Sequence, residues 1–103
     1  MEIKKLIGKR IQQIRKNKSI TQEKLAEIIG IEVPSMSNLE TGKYAPSIET
    51  LQKLSQALGV KLWEFYYFDD ISKTEMKTEI IKTIEGNEKL LKTVYYFCKS
   101  LEY

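Results

Sequence analysis

The chain of 103 residues contains no histidine and one cysteine, Cys98. Histidine is the usual general base beside a Ser or Cys nucleophile and a common metal ligand, so its absence removes those triads and most zinc sites. No phosphate-cradling glycine loop or metal-ligand spacing is present, and most of the carboxylates fall beside lysines on helix surfaces. No enzymatic activity is expected, and no cofactor and no metal. One cysteine cannot form an intramolecular disulfide, and a reducing compartment is the default. Apolar runs last only a few residues, far short of the roughly 18 that span a bilayer. The opening MEIKKLIGKR lacks the apolar core of a signal peptide. A cytoplasmic protein is expected. Proline occurs twice, near helix starts, and no segment alternates with the two-residue period of a strand.

What the chain does have is unevenly placed charge. Residues 1–68 carry 11 Lys/Arg against 7 Asp/Glu, a net of +4, whereas 69–103 carry 6 against 7, a net of −1. Seven of the basic residues fall within the first 18 positions, opposed there only by Glu2. A basic front suits a polyanion, although a solvated helix surface would read the same.

Apolar residues recur at helical spacing almost throughout, which predicts an all-α chain. Punctuation places the helices at about 2–17, 22–29, 33–40, 48–58, 62–67, 73–85 and 88–101. Thr21, Ser47 and Asn87 are N-caps, Ser72 with Glu75 makes a capping box, and Gly30, Gly42, Gly59 and Gly86 are stops. Two parts follow: a five-helix domain over 1–68 and a two-helix extension over 69–103. The cluster Trp63, Phe65, Tyr66, Tyr67 and Phe68 reads as core and interface, and Cys98, beside Val94 and Phe97, as packing.

The informative stretch is TQEKLAEIIGIEVPSMSNLETG, residues 21–42. Two short helices flank a turn at Gly30. Ala26 is small enough for a close crossing, and Met36 and Leu39 face inward. Val33, Ser35, Ser37, Asn38 and Thr41 are left largely outward. A helix with a short polar outer face can enter the major groove and reach base edges.

Over about residues 6–67 the chain resembles the phage-repressor-like (Cro/C1, xenobiotic-response-element) helix-turn-helix regulators. The likeness is carried by Ile7-Gly8-Lys9-Arg10-Ile11, Ile14-Arg15-Lys16, Thr21-Gln22, Leu25-Ala26, Gly30-Ile31, Leu39-Glu40-Thr41-Gly42, Pro46-Ser47, Thr50-Leu51, Leu54, Ala57-Leu58-Gly59-Val60 and Phe65. The resemblance implies a sequence-specific DNA-binding transcriptional regulator, a repressor on a palindromic operator. It places Gln22 against a phosphate, helped by the helix N-terminus. Thr41, Lys43 and Tyr44 become backbone contacts, with Ser37 reaching phosphate or base. Val33, Pro34, Ser35 and Asn38 face bases, Val33 at a thymine methyl and Asn38 at an adenine edge. Arg15 and Glu40 pair inside the domain. Two features depart from the family. Glu32 stands where Ser or Thr is usual before the third helix, and that helix has no Arg or Lys to read guanine.

The extension carries two wide apolar stripes, which call for a partner surface. A homodimer is expected, with Ile80, Ile84, Leu91, Val94, Tyr95, Cys98 and Leu101 at its interface. The alternative is an antitoxin that represses its own operon and binds a toxin through these helices.

Overall fold

The computed structural model describes residues 2–68 and 73–101. It contains α1 (Ile3–Asn17), α2 (Gln22–Ile29), α3 (Val33–Thr41), α4 (Ile48–Leu58), a 3-10 turn (Leu62–Tyr66), α5 (Lys73–Ile84) and α6 (Glu88–Ser100). There is no strand among the described residues, and the fold is all-α. Two compact units divide the chain, Met1–Tyr67 and Phe68–Tyr103.

In the first unit, α1 packs on α3 and on the 3-10 turn, and α2 packs on α3 and α4. Each helix contributes an apolar stripe to one core: Ile7, Ile11 and Ile14 from α1, Leu25, Ala26 and Ile29 from α2, Met36 and Leu39 from α3, and Leu51, Leu54 and Leu58 from α4. Phe65, wholly buried, closes it from the 3-10 turn. Thr21 and Ser47 accept hydrogen bonds from the amides of Lys24 and Thr50, so the two caps hold α2 and α4 at their starts.

The segment expected as a helix over 62–67 is a 3-10 turn, held at its start by the Glu64 carboxylate accepting from the Lys61 amide at 2.7 Å. Five residues are too few to propagate an α-helix, and tighter i to i+3 bonding closes the turn. Of the aromatic cluster only Phe65 is core. Trp63, Tyr66 and Tyr67 are exposed, with Trp63 and Tyr67 edge to face at 6.2 Å. Ser72, and with it the expected capping box, lies outside the described residues, as do Asp69, Asp70 and Ile71.

In the second unit, α5 and α6 pack on each other across a three-residue connection, and the Asn87 side chain accepts from the Leu90 amide. No described residue of either helix is buried. Ile84, Leu90, Val94 and Leu101 are half-buried, whereas Ile80, Ile81, Leu91, Tyr95, Tyr96 and Phe97 are exposed. Cys98, expected to pack, is an exposed free thiol. A pair of helices with this much apolar surface in water is incomplete as a packed structure.

Candidate nucleic-acid interface

The turn between α2 and α3 is set by Gly30, which caps α2 at φ +77°. An L side chain is strained there, and glycine is not. The amides of Gly30 and Ile31 both donate back to the Ala26 carbonyl, at 2.9 and 3.0 Å, and this reverses the chain within two residues. Ala26 is buried where α2 meets α3.

α3 begins with Pro34 in its first turn, a position where a missing N–H costs nothing. Its N-cap residue, Glu32, is extended and exposed, and its carboxylate makes no capping bond. The inner face is Met36, Leu39 and Glu40, all buried. On the outer face Val33, Pro34, Ser35 and Thr41 are exposed, and Ser37 and Asn38 are half-buried. The Thr41 hydroxyl donates to the Ser37 carbonyl at 3.0 Å, so in the free protein it is folded back on its own helix. Lys43 and Tyr44 follow on the exposed connection, with the Lys43 ammonium 5.7 Å from the Tyr44 ring centre.

α1 braces α3 along its C-terminal half. Gly8 makes this possible: a Cβ there would sit 2.3 Å from the Leu39 carbonyl oxygen and 2.7 Å from that of Glu40. At the end of α3, a Cβ on Gly42 would lie 2.6 Å from the Lys5 Cα. The first turn of α1, with Lys5 in it, is therefore held against the residue that precedes Lys43. Lys5 bonds Glu2 at 2.9 Å on the surface, and this pairing holds the Glu2 carboxyl below its ordinary pKa.

The ionic centre of the unit lies behind α3. Arg15 donates through Nε to Glu40 Oε2 at 2.6 Å and through Nη2 to Oε1 at 3.0 Å, and Nη1 donates to the Ile20 carbonyl at 2.9 Å. The two side chains are 8% and 0% exposed. A bidentate fork of this kind fixes direction as well as distance. Gln22, at the first position of α2, donates through Nε2 to Glu40 Oε1 at 3.0 Å. The family resemblance implies a phosphate contact for Gln22 and gives no sign of this bond. Arg10 is also turned inward: its Nε donates to the Glu64 carbonyl at 2.9 Å and its guanidinium lies 6.0 Å from the Tyr67 ring centre. Both arginines of the basic front are thus structural, and the positive charge left facing solvent on α1 is carried by lysines.

A two-helix unit joined by a tight glycine turn, with the outer face of its second helix short-chained and exposed, is the geometry of a DNA-reading element. The HTH_3 helix-turn-helix family model matches residues 11–65, more than half of the chain, and the chain belongs to that family. Residues 11–65 thus carry the helix-turn-helix DNA-binding fold of that family. Among its relatives, the HTH-type transcriptional regulator PuuR of Escherichia coli (strain K12) is 39% identical over 59 residues, 57% of this chain and 32% of PuuR. The immunity repressor protein of Bacillus phage phi105 is 36% identical over 56 residues, 54% of this chain and 39% of that protein. The match thus spans only about a third of each of these two relatives. Among solved structures, the restriction-modification controller protein C.AhdI from Aeromonas hydrophila aligns with TM-score 0.57 and 28% identity over 59% of this chain and 92% of that one. A chain of the SinR protein/SinI protein complex aligns with TM-score 0.55 and 27% identity over 90% of this chain and 94% of its own. No helix of the described residues is long and apolar enough to cross a membrane.

Proposed function

We propose that this protein is a sequence-specific repressor that binds a palindromic operator as a homodimer. The observation that carries the DNA reading is α3 itself: it is anchored from behind by Met36, Leu39 and the Arg15–Glu40 fork, while Val33, Pro34, Ser35, Ser37 and Asn38 line its outer side. Asn38 reads an adenine edge and Val33 a thymine methyl. Gln22, Thr41, Lys43 and Tyr44 hold the phosphates on either side. With no Arg or Lys on α3, affinity leans on these backbone contacts and on DNA shape.

The α5–α6 hairpin supports the homodimer, because its own packing leaves its apolar residues half-buried at most. Ile80, Ile84, Leu91, Val94, Tyr95, Cys98 and Leu101 are the side chains we place between two copies. A two-fold pairing sets the two α3 helices about one DNA turn apart, roughly 34–36 Å. A second reading gives the hairpin to a different protein, as in an antitoxin. It is favoured by the likeness, across most of this chain, to a structure solved as a complex of two proteins.

Selection of bound duplexes from a random pool, joined to sedimentation, tests both. The homodimer selects an inverted repeat and sediments as a dimer. Truncation after Asp70 gives a monomer that binds the full site far more weakly. An intact chain that stays monomeric at tens of micromolar refutes the homodimer, and absence of any selected duplex refutes the DNA reading.

A further inference from the structure

We propose that Glu40 is a positioning residue for DNA: it orients the Gln22 side-chain amide so that an N–H, and not the amide oxygen, is presented to a phosphate. The proposal rests on the DNA reading above and adds a residue that never touches the nucleic acid. An ionised carboxylate only accepts hydrogen bonds, so Gln22 must turn its nitrogen toward Glu40. That nitrogen has two hydrogens. One is taken by Glu40 Oε1 at 3.0 Å, and the other is left for a second acceptor. In the flipped amide the oxygen would face the carboxylate and repel it, so the flip is closed.

The carboxylate is itself held from two sides. Arg15 occupies both oxygens, and the Glu40 side chain is completely buried. Gln22 lies on α2, Arg15 on α1 and Glu40 on α3, so one carboxylate ties all three helices at a single point. Arg15 also neutralises Glu40, so the buried carboxylate adds no uncompensated charge of its own against a phosphate approaching Gln22. Gln22 and Glu23 are the first two residues of α2, and amides at a helix start lack intrahelical partners and favour an anion.

The test is a double-mutant cycle read in duplex affinity with the full chain. Gln22→Ala is made in the unaltered chain and in Arg15→Met with Glu40→Leu, a background that removes both charges together. In the unaltered chain Gln22→Ala weakens binding about tenfold, the usual worth of a hydrogen bond to a charged group. In the charge-free background the same change costs less than twofold, since the amide there is already unanchored. Equal losses in both backgrounds overturn the positioning role while leaving Gln22 as a phosphate contact. No loss in either removes Gln22 from the interface and takes the proposal with it, whereas duplex binding by the unaltered chain separately tests the DNA reading. A measurement on the unaltered chain covers the case in which the charge-free variant fails to fold. By NMR, one Gln22 side-chain amide proton is displaced from those of the exposed Gln13, Gln52 and Gln56 and exchanges more slowly with water. A Gln22 amide indistinguishable from those three overturns the proposal.

Discussion

Replacing Gly8 by alanine tests how tightly α1 and α3 are joined. At an exposed helix-interior position this change stabilises by about 1 kcal/mol, because glycine costs more backbone entropy. Here the added Cβ meets the Leu39 and Glu40 carbonyl oxygens at 2.3 and 2.7 Å and the Glu40 carbonyl carbon at 2.9 Å. All three are backbone atoms of a helix and cannot swing aside. α1 must back away by about 1 Å to recover ordinary contact. Overpacking of this kind costs about 1–3 kcal/mol. The retreat also stretches the 2.6 and 3.0 Å Arg15–Glu40 bonds, each of a charge-assisted type worth about 1.5–3 kcal/mol. Set against the helix-propensity gain, the expected net loss is about 2–4 kcal/mol. Trp63, the only tryptophan, lies in the same unit and reports its unfolding in urea. With a slope of roughly 1 kcal/mol per molar, the midpoint falls by about 2 M or more. The loss is smaller when Arg15→Met and Glu40→Leu are already present, since there is then no fork to stretch. A midpoint that stays or rises on Gly8→Ala refutes the close crossing.

Other expectations follow from the same geometry. Arg15→Met alone leaves the wholly buried Glu40 charge unpaired and costs about 3–5 kcal/mol, whereas Arg15→Met with Glu40→Leu costs less; additive losses in thermal melts would mean the two side chains do not interact. Phe65→Ala empties a fully buried site and lowers stability by about 3–5 kcal/mol in the same urea titration, and a loss below 1 kcal/mol would show that the 3-10 turn is not core. Asn38→Ala relaxes preference at one base position by about 1–3 kcal/mol, whereas Lys43→Ala weakens all duplexes alike and lowers the salt slope by about one; binding measured across a base-substituted panel at several salt concentrations separates the two.

Local chemistry is what the sequence displayed best. Thr21, Ser47 and Asn87 each accept from the amide three residues on, and Gly30, Gly42, Gly59 and Gly86 all have positive φ, so helix ends were readable from single residues and their neighbours. The apolar spacing along α1, α2, α3 and α4 matches the stripes that build the core, with Met36 and Leu39 inward as expected. Burial depth was less legible at 62–68, where apolar content alone does not separate the buried Phe65 from Trp63, Tyr66 and Tyr67 at the surface. Contacts between distant positions were the least legible. Gly8 against Leu39, Arg10 on the Glu64 carbonyl and Gln22 on Glu40 join residues 18 to 54 positions apart, and no periodicity or cap records such a meeting. Gln22 in particular looked like a surface residue because its helix position is a terminus, yet its amide is tied to a buried carboxylate. Cys98 was read by its apolar neighbours along the chain, and within its own unit those neighbours do not cover it.

The two sides of α3 answer to different constraints. Met36, Leu39 and Glu40 are locked into the core and into the fork with Arg15, so changing any of them alters whether the domain stands. Val33, Pro34 and Ser35 carry less of the fold: all three are exposed and none is part of the buried core. On the DNA reading these are among the positions that choose the operator. The address can then be rewritten by single substitutions that cost the fold little, whereas the lysines that supply sequence-independent attraction sit on α1 and beyond α3 and need not change with it. Duplicated copies of such a domain can part company over their targets one base contact at a time while remaining equally stable throughout.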